Sequence, residues 1–139
     1  MENHSNINNQ FIPYELALEL KELGLDEPCF AFYGLSRDDY KTIRLSIFQN
    51  LKTDYLSDVH HLDVTCDAPL YQQAFDFFRE KYNVSGEVYI FKGFWNFDIE
   101  DFKNDIQLFT TNEIVYSTHE EARLECLEKL IEIVKNESK

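Results

Sequence analysis

The stretch Glu87-Val88-Tyr89-Ile90-Phe91-Lys92-Gly93-Phe94-Trp95-Asn96-Phe97-Asp98-Ile99 decides the fold class. Two runs of β-branched and aromatic residues flank a two-residue Lys-Gly break. Such runs suit a pleated surface, and a short Gly-containing break between them reads as a hairpin turn. The expected elements are a strand over Glu87–Phe91, a turn at Lys92-Gly93 and an antiparallel partner over Phe94–Ile99. Side chains alternate with period two along a strand, so Trp95, Phe97 and Ile99 should share one face. A local hairpin breaks any strict alternation of strand and helix, which points to α+β.

Working outward, Asp67 followed by Ala68-Pro69 looks like a helix opening, with an acid to cap and an early proline. Tyr71, Ala74, Phe75, Phe78 and Tyr82 then recur at helical spacing. Upstream, Pro13 suits the first turn of an earlier helix carrying Leu16, Leu20 and Leu23, and Gly24 suits its end. Between these helices, Cys29–Tyr33 reads as a short buried strand. Ile43, Leu45 and Ile47 alternate with Thr42, Arg44 and Ser46 as a half-buried strand. Val59, Leu62 and Val64 suggest another short strand.

Downstream of the hairpin, residues 100–112 read as a polar loop and Glu113–Tyr116 as a last short strand. Thr118 and Glu121 form a capping box. It opens a final helix lined by Leu127, Leu130, Ile131 and Val134, with Glu125 and Lys129 set for an ion pair. The expectation is one α+β domain over residues 11–139, with about three helices on a mainly antiparallel sheet of four or five short strands. Residues 1–10, polar and Asn-rich, are expected to be a disordered tail.

Twenty-six Asp and Glu face thirteen Lys and Arg, a formal charge of −13. That field repels nucleic acid and anionic membrane and attracts basic protein surfaces. The acid is uneven. From Thr53 to Phe78 there is no Lys or Arg, while Asp54, Asp58, Asp63 and Asp67 fall in that span. Cys29, Cys66 and Cys126 are odd in number and widely spaced, with no C-x-x-C, which suits reduced thiols in a cytosol better than a disulfide framework. The N-terminus does not read as a secretory signal, and no apolar run is long enough for a membrane span.

The chemistry-bearing candidates are weak. His60, His61, Asp63 and Cys66 are metal-binding residue types in a short span, but adjacent His residues point opposite ways in a strand. A polar loop is the plainer reading. Cys66 with His119 is formally a nucleophile pair, yet nothing electropositive lowers the thiol pKa. Asp98, Glu100, Asp101 and Asp105 lack the calcium-loop pattern, and no phosphate-binding or nucleophile-elbow motif is present. No cofactor is expected.

The aromatic segment Phe91-Lys92-Gly93-Phe94-Trp95-Asn96-Phe97 resembles a base-stacking platform, but such platforms sit in basic grooves, and here Asp98, Glu100 and Asp101 follow at once. An exposed aromatic in that setting suits a protein-binding hot spot better. The partner-binding candidates are therefore Asp54, Asp58, Asp63 and Asp67, together with Trp95, Asp98, Glu100 and Asp101. The expected partner is a basic protein surface, such as that of a nucleic-acid-binding protein or ribonucleoprotein, with no direct nucleic-acid or membrane contact.

Three segments carry a resemblance: Phe11-Ile12-Pro13-Tyr14-Glu15 through Asp26-Glu27-Pro28-Cys29-Phe30, Ala68-Pro69-Leu70-Tyr71-Gln72-Gln73-Ala74-Phe75 through Arg79-Glu80-Lys81-Tyr82, and Thr118 with Glu120-Glu121-Ala122, Cys126-Leu127 and Lys129 to Lys135. In these the chain resembles a recurring group of small uncharacterised proteins of Bacteroidetes genomes and their prophages. The resemblance brings no activity and no functional residue with it. It implies a mobile-element setting, where short acidic proteins act by occupying host machinery such as a defence nuclease or a CRISPR effector. A non-enzymatic inhibitor or modulator of a basic nucleic-acid-handling host protein is the leading reading. The alternatives are a phage structural or assembly component that uses the aromatic hairpin for oligomer contacts, and a metal-dependent enzyme.

Overall fold

The computed structural model describes residues 7–33, 43–45, 66–111 and 115–137. The chain is α+β, with three α-helices and two antiparallel three-stranded sheets among those residues. It divides into two compact units, Met1–Gln73 and Ala74–Lys139.

In the first unit, Ile7–Gln10 form a 3-10 turn inside the segment expected to be a tail. Helix α1 (Tyr14–Leu23) follows, with Pro13 in the N-cap position. It ends as expected at Gly24, whose φ of 105° needs a residue without Cβ. The amides of Gly24 and Leu25 bond to the carbonyls of Lys21 and Leu20 at 3.1 and 3.0 Å. The helix buries Leu16, Ala17 and Leu20.

Strands β1 (Ala31–Tyr33), β2 (Ile43–Leu45) and β3 (Cys66–Asp67) pair in the order β2-β1-β3. Phe32 lies opposite Arg44 on one side and Asp67 on the other. All three residues of the central strand are buried, which is why Cys29–Tyr33 reads as a continuous apolar run. The Tyr33 hydroxyl donates to the Ile12 carbonyl, and its ring meets Tyr14 edge-on at 5.4 Å. Ile47 and the strand expected at Val59, Leu62 and Val64 lie outside the described residues.

Asp67 does not cap a helix. It sits in β3, and the Ala68 amide still bonds to the Ala31 carbonyl at 2.9 Å, so the chain stays extended beyond it. Helix α2 (Tyr71–Tyr82) starts later, where the Gln73 Oε1 accepts from the Leu70 amide at 3.0 Å. Its first turn closes the first unit and the rest belongs to the second. Ala74, Phe77 and Phe78 are buried, and Asn83, with φ of 60°, ends the helix.

The second unit is a meander of β4 (Val84–Phe91), β5 (Phe94–Asp101) and β6 (Ile106–Thr110), backed by α3 (His119–Glu137). The hairpin stands as read. Lys92 and Gly93 take φ of 53° and 84°, the positive values of a tight two-residue turn matched to strand twist. Phe97 and Ile99 are buried beneath α3, whose Ala122, Cys126, Leu127, Leu130, Ile131 and Val134 face inward.

Within the polar loop expected over residues 100–112, the described residues up to 111 are mostly strand. β5 runs on to Asp101, and β6 follows a tight turn. The turn is made by Asp101, whose Oδ1 accepts from the Lys103 and Asn104 amides at 3.1 and 3.0 Å, and by Asp105 at φ of 56°. A third strand therefore fits into a stretch whose polar residues suggest a loop. Of Glu113–Tyr116, Tyr116 bridges Trp95 through two backbone bonds of 2.9 Å, and residues 112–114 lie outside the described residues.

The capping box of α3 forms: Thr118 Oγ1 accepts from the Glu121 amide at 3.1 Å. The Glu121 carboxylate reaches one residue further back, to the Ser117 amide at 3.2 Å. Lys129 bonds to Glu132 at 3.0 Å, one turn on in the chain, and its ammonium lies 4.7 Å from the centre of the Phe109 ring. Among the described residues the strands fall into two antiparallel sheets of three, and the expected α+β class with three helices and mainly antiparallel pairing holds.

Candidate interaction face of the C-terminal sheet

The register of β4 and β5 sorts their side chains into two faces. Ser85, Glu87, Tyr89 and Phe91 pair with Glu100, Asp98, Asn96 and Phe94. The intervening pairs, including Gly86 with Ile99 and Val88 with Phe97, make the other face. Helix α3 covers that second face around Phe97 and Ile99, which are buried, while Ile90 beside the turn is exposed. The first face points away from α3; on it Phe91, Phe94, Glu87 and Glu100 are exposed, Tyr89 and Asp98 half-buried, and Ser85 and Asn96 buried.

That outward ladder has an aromatic end and an acidic end. Phe91 and Phe94 close the hairpin, 59% and 48% exposed. Beyond Tyr89 and Asn96, Glu87 stands directly opposite Asp98, and Glu100 follows two residues on. At about 3.4 Å per residue, Phe94 and Glu100 lie about 20 Å apart along β5. No Lys or Arg occupies any of the eight ladder positions.

Like charges directly opposite each other in an antiparallel pair are unfavourable. Here neutral donors hold them in place. Asp98 Oδ1 accepts from the Thr110 hydroxyl at 2.7 Å and from the Tyr89 hydroxyl at 3.4 Å. Glu87 Oε1 accepts from the Ser85 hydroxyl at 3.0 Å. Burial and the neighbouring Asp98 charge push the Tyr89 phenol upward.

The expected site residues separate on this frame. Asp98 and Glu100 belong to the outward ladder, with Glu100 exposed and Asp98 half-buried. Trp95 does not. It alternates to the α3 side, half-buried, with its ring edge-on to His119 at 5.0 Å. Phe94 and Phe91 occupy the exposed place that the sequence offered to Trp95. Asp101 is engaged in its own turn, and the bonds from Asn104 and Lys103 hold its carboxyl below the usual range. Glu87 and Phe91, absent from the candidates, follow from counting back from the Lys92-Gly93 turn.

In the first unit, Asp67 is half-buried in β3, and Asp54, Asp58 and Asp63 lie outside the described residues. Of the metal-like cluster, Cys66 is buried, with its Sγ donating to the Asp67 carbonyl at 3.0 Å, while His60, His61 and Asp63 fall outside the described residues. No group of three or more His, Cys, Asp and Glu side chains among the described residues could hold a metal ion. Cys66 and Cys29 line a shallow cleft with Lys21, Glu27 and Asp67. Burial first, then the Asp67 charge, pushes the Cys66 thiol up to about 11 and the Cys29 thiol up to about 12. Such thiols are poor nucleophiles at neutral pH. His119 belongs to the other unit.

No helix among the described residues is long and apolar enough to cross a membrane. No protein-family model matches the chain, and neither the curated proteins nor the solved structures include a match to it.

Proposed function

We propose that this chain is a small non-enzymatic binding protein that engages a basic protein surface through the outward ladder of β4 and β5. One observation carries the reading: a single face combines exposed Phe91 and Phe94 with Glu87, Asp98 and Glu100, and none of its eight ladder positions is basic, the nearest cation at the turn being Lys92, whose ammonium lies 5.3 Å from the Phe91 ring centre. Exposed aromatics supply buried area at an interface, and the carboxylates supply charge complementarity and fast association. The unfavourable Glu87–Asp98 opposition is relieved when a cation binds between them. The formal charge of −13 acts in the same direction over longer range.

The partner class that fits is a nucleic-acid-handling protein, whose groove is basic because it meets phosphate. Together with the prophage resemblance, this makes the chain an inhibitor or modulator of such a host protein, working in the bacterial cytoplasm. An assembly component would draw on the same exposed hairpin end, and light scattering separates the two: a stable ring or large oligomer favours assembly.

The test is capture from a bacterial host lysate by the chain, by Glu87→Lys and by Phe94→Ser, each read by mass spectrometry. The expected partners are basic, are lost with either substitution and weaken from about 50 to about 500 mM salt. A partner set without basic proteins, or one retained by both variants, overturns the reading.

A further inference from the structure

A sheet edge is the part of this unit that its own fold leaves unfinished. In the order β4-β5-β6, the middle strand is paired on both sides and the outer two on one side among the described residues. Open edges invite another strand, and proteins blunt them with proline, lysine, bulges or a covering element. The β6 edge is blunted, because its register against β5 shifts at Ile99 and Glu100. The β4 edge is not. Its register against β5 runs unbroken over all eight residues, and Val84–Phe91 contains neither Lys nor Pro.

The two-residue turn fixes which backbone groups face outward. Phe91 and Phe94 flank the turn and are the bonded pair that closes it. Bonded and non-bonded pairs alternate, so Phe91, Tyr89 and Glu87 direct their amides and carbonyls to β5. Ile90, Val88 and Gly86 direct theirs the other way. None of the backbone bonds among the described residues uses those outward groups.

We propose that the β4 edge is a strand-addition site for an extended basic segment of the partner protein. The inference rests on the reading of the outward face as a basic-partner site, and it adds how the partner binds. An added strand lies about 4.8 Å from β4 and alternates its side chains between the same two faces. On the outward face its residue opposite Glu87 is Lys or Arg, within reach of Asp98 on the next strand. On the other face its residues meet Val88 and exposed Ile90 and are apolar. The recognised segment is therefore an alternation of basic and apolar residues. A second copy of this chain does not fit, because self-pairing of β4 brings Glu87 and a charge of −13 against their own kind.

The experiment uses the full chain and three short peptides: one alternating Lys with Val, one alternating Glu with Val, and one of the same charge as the first with proline at every other apolar position. Amide hydrogen exchange is followed by NMR. The expected result is that only the first peptide slows exchange at Gly86, Val88 and Ile90, by about tenfold or more. In the Glu87→Lys chain, the preference should turn toward the Glu peptide. If the proline peptide binds as well as the first, and neither protects those amides, strand addition is wrong while the basic-partner reading stands. If no basic peptide perturbs the sheet at all, the reading falls with it. Protection that appears without peptide and grows with protein concentration assigns the edge to a second copy and overturns the inference.

Discussion

Gly86 in β4 lies so close to Cys126 in α3 that a Cβ on the glycine would stand 2.7 Å from the Cys126 Sγ. The same atom would meet Leu130 Cδ1 at 3.1 Å and Phe75 Cε1 at 3.3 Å. At this point sheet and helices are in direct backbone-to-side-chain contact, and the absent side chain is what lets them close.

Gly86→Ala should destabilise the second unit by about 1–3 kcal/mol, the usual cost of forcing extra volume into a filled core. Urea unfolding measures it. Adding Cys126→Ala removes the first atom the new methyl meets, so the double variant should recover part of the loss. An unchanged midpoint in Gly86→Ala would show that the helix gives way freely.

Thr111 is fully buried and ties the end of β6 to β5. Its Oγ1 accepts from the Phe97 amide at 2.9 Å and donates toward the Phe97 carbonyl or Asn96 Oδ1, at 3.1 and 3.2 Å. Thr111→Val keeps the shape and leaves the Phe97 amide without that acceptor. The expected loss is about 1–3 kcal/mol, the cost of an unsatisfied buried donor. Thr111→Ser, which keeps the hydroxyl, should lose less in the same unfolding measurement.

Glu87→Gln should stabilise the fold while weakening partner binding. Gln retains an acceptor for the Ser85 hydroxyl and ends the charge opposition with Asp98. The gain should be about 0.2–1 kcal/mol, and it should shrink with added salt. Thermal unfolding at low and high salt reads it. A loss of stability would mean that the Glu87–Asp98 opposition costs the free protein nothing.

The buried thiols predict an alkaline limit. Cys66 and Cys29 titrate near 11 and 12 in the folded chain against 9.0 ordinarily, so the folded state keeps protons that the unfolded state releases. Stability from this source is whole below pH 9 and falls as pH rises from 9 through 11 to 12. Cys126 is shifted upward too, by burial beneath the sheet. Urea midpoints should therefore hold from pH 7 to about 8.5 and decline above it. Thiol alkylation at pH 8 should be slow until urea opens the fold. Fast alkylation of all three cysteines in the native chain would contradict both.

Much of this molecule was legible residue by residue. The period-two runs about Lys92-Gly93 set the hairpin and its faces, and the Thr118–Glu121 box opened the last helix because capping is local chemistry. Gly24 ended the first helix for the same kind of reason. Where local signals competed, the reading failed. Asp67 has the chemistry of a helix cap, but pairing with β1 holds it in a strand. Residues 106–110 are bracketed by polar turn residues and look like loop until β5 offers an edge to pair with.

The sequence by itself determined the α+β class, the net charge and which positions along β5 alternate, since composition and period need no partner. Tertiary structure alone decided which face of that alternation meets solvent. Helix α3 took the face of Phe97 and Ile99, because Gly86 allowed it to approach there. Trp95 went under with them, and Phe91, Phe94, Glu87, Asp98 and Glu100 were left to face outward. A strand pattern cannot say which side a helix will cover. That depends on where the backbone is bare enough for the helix to close.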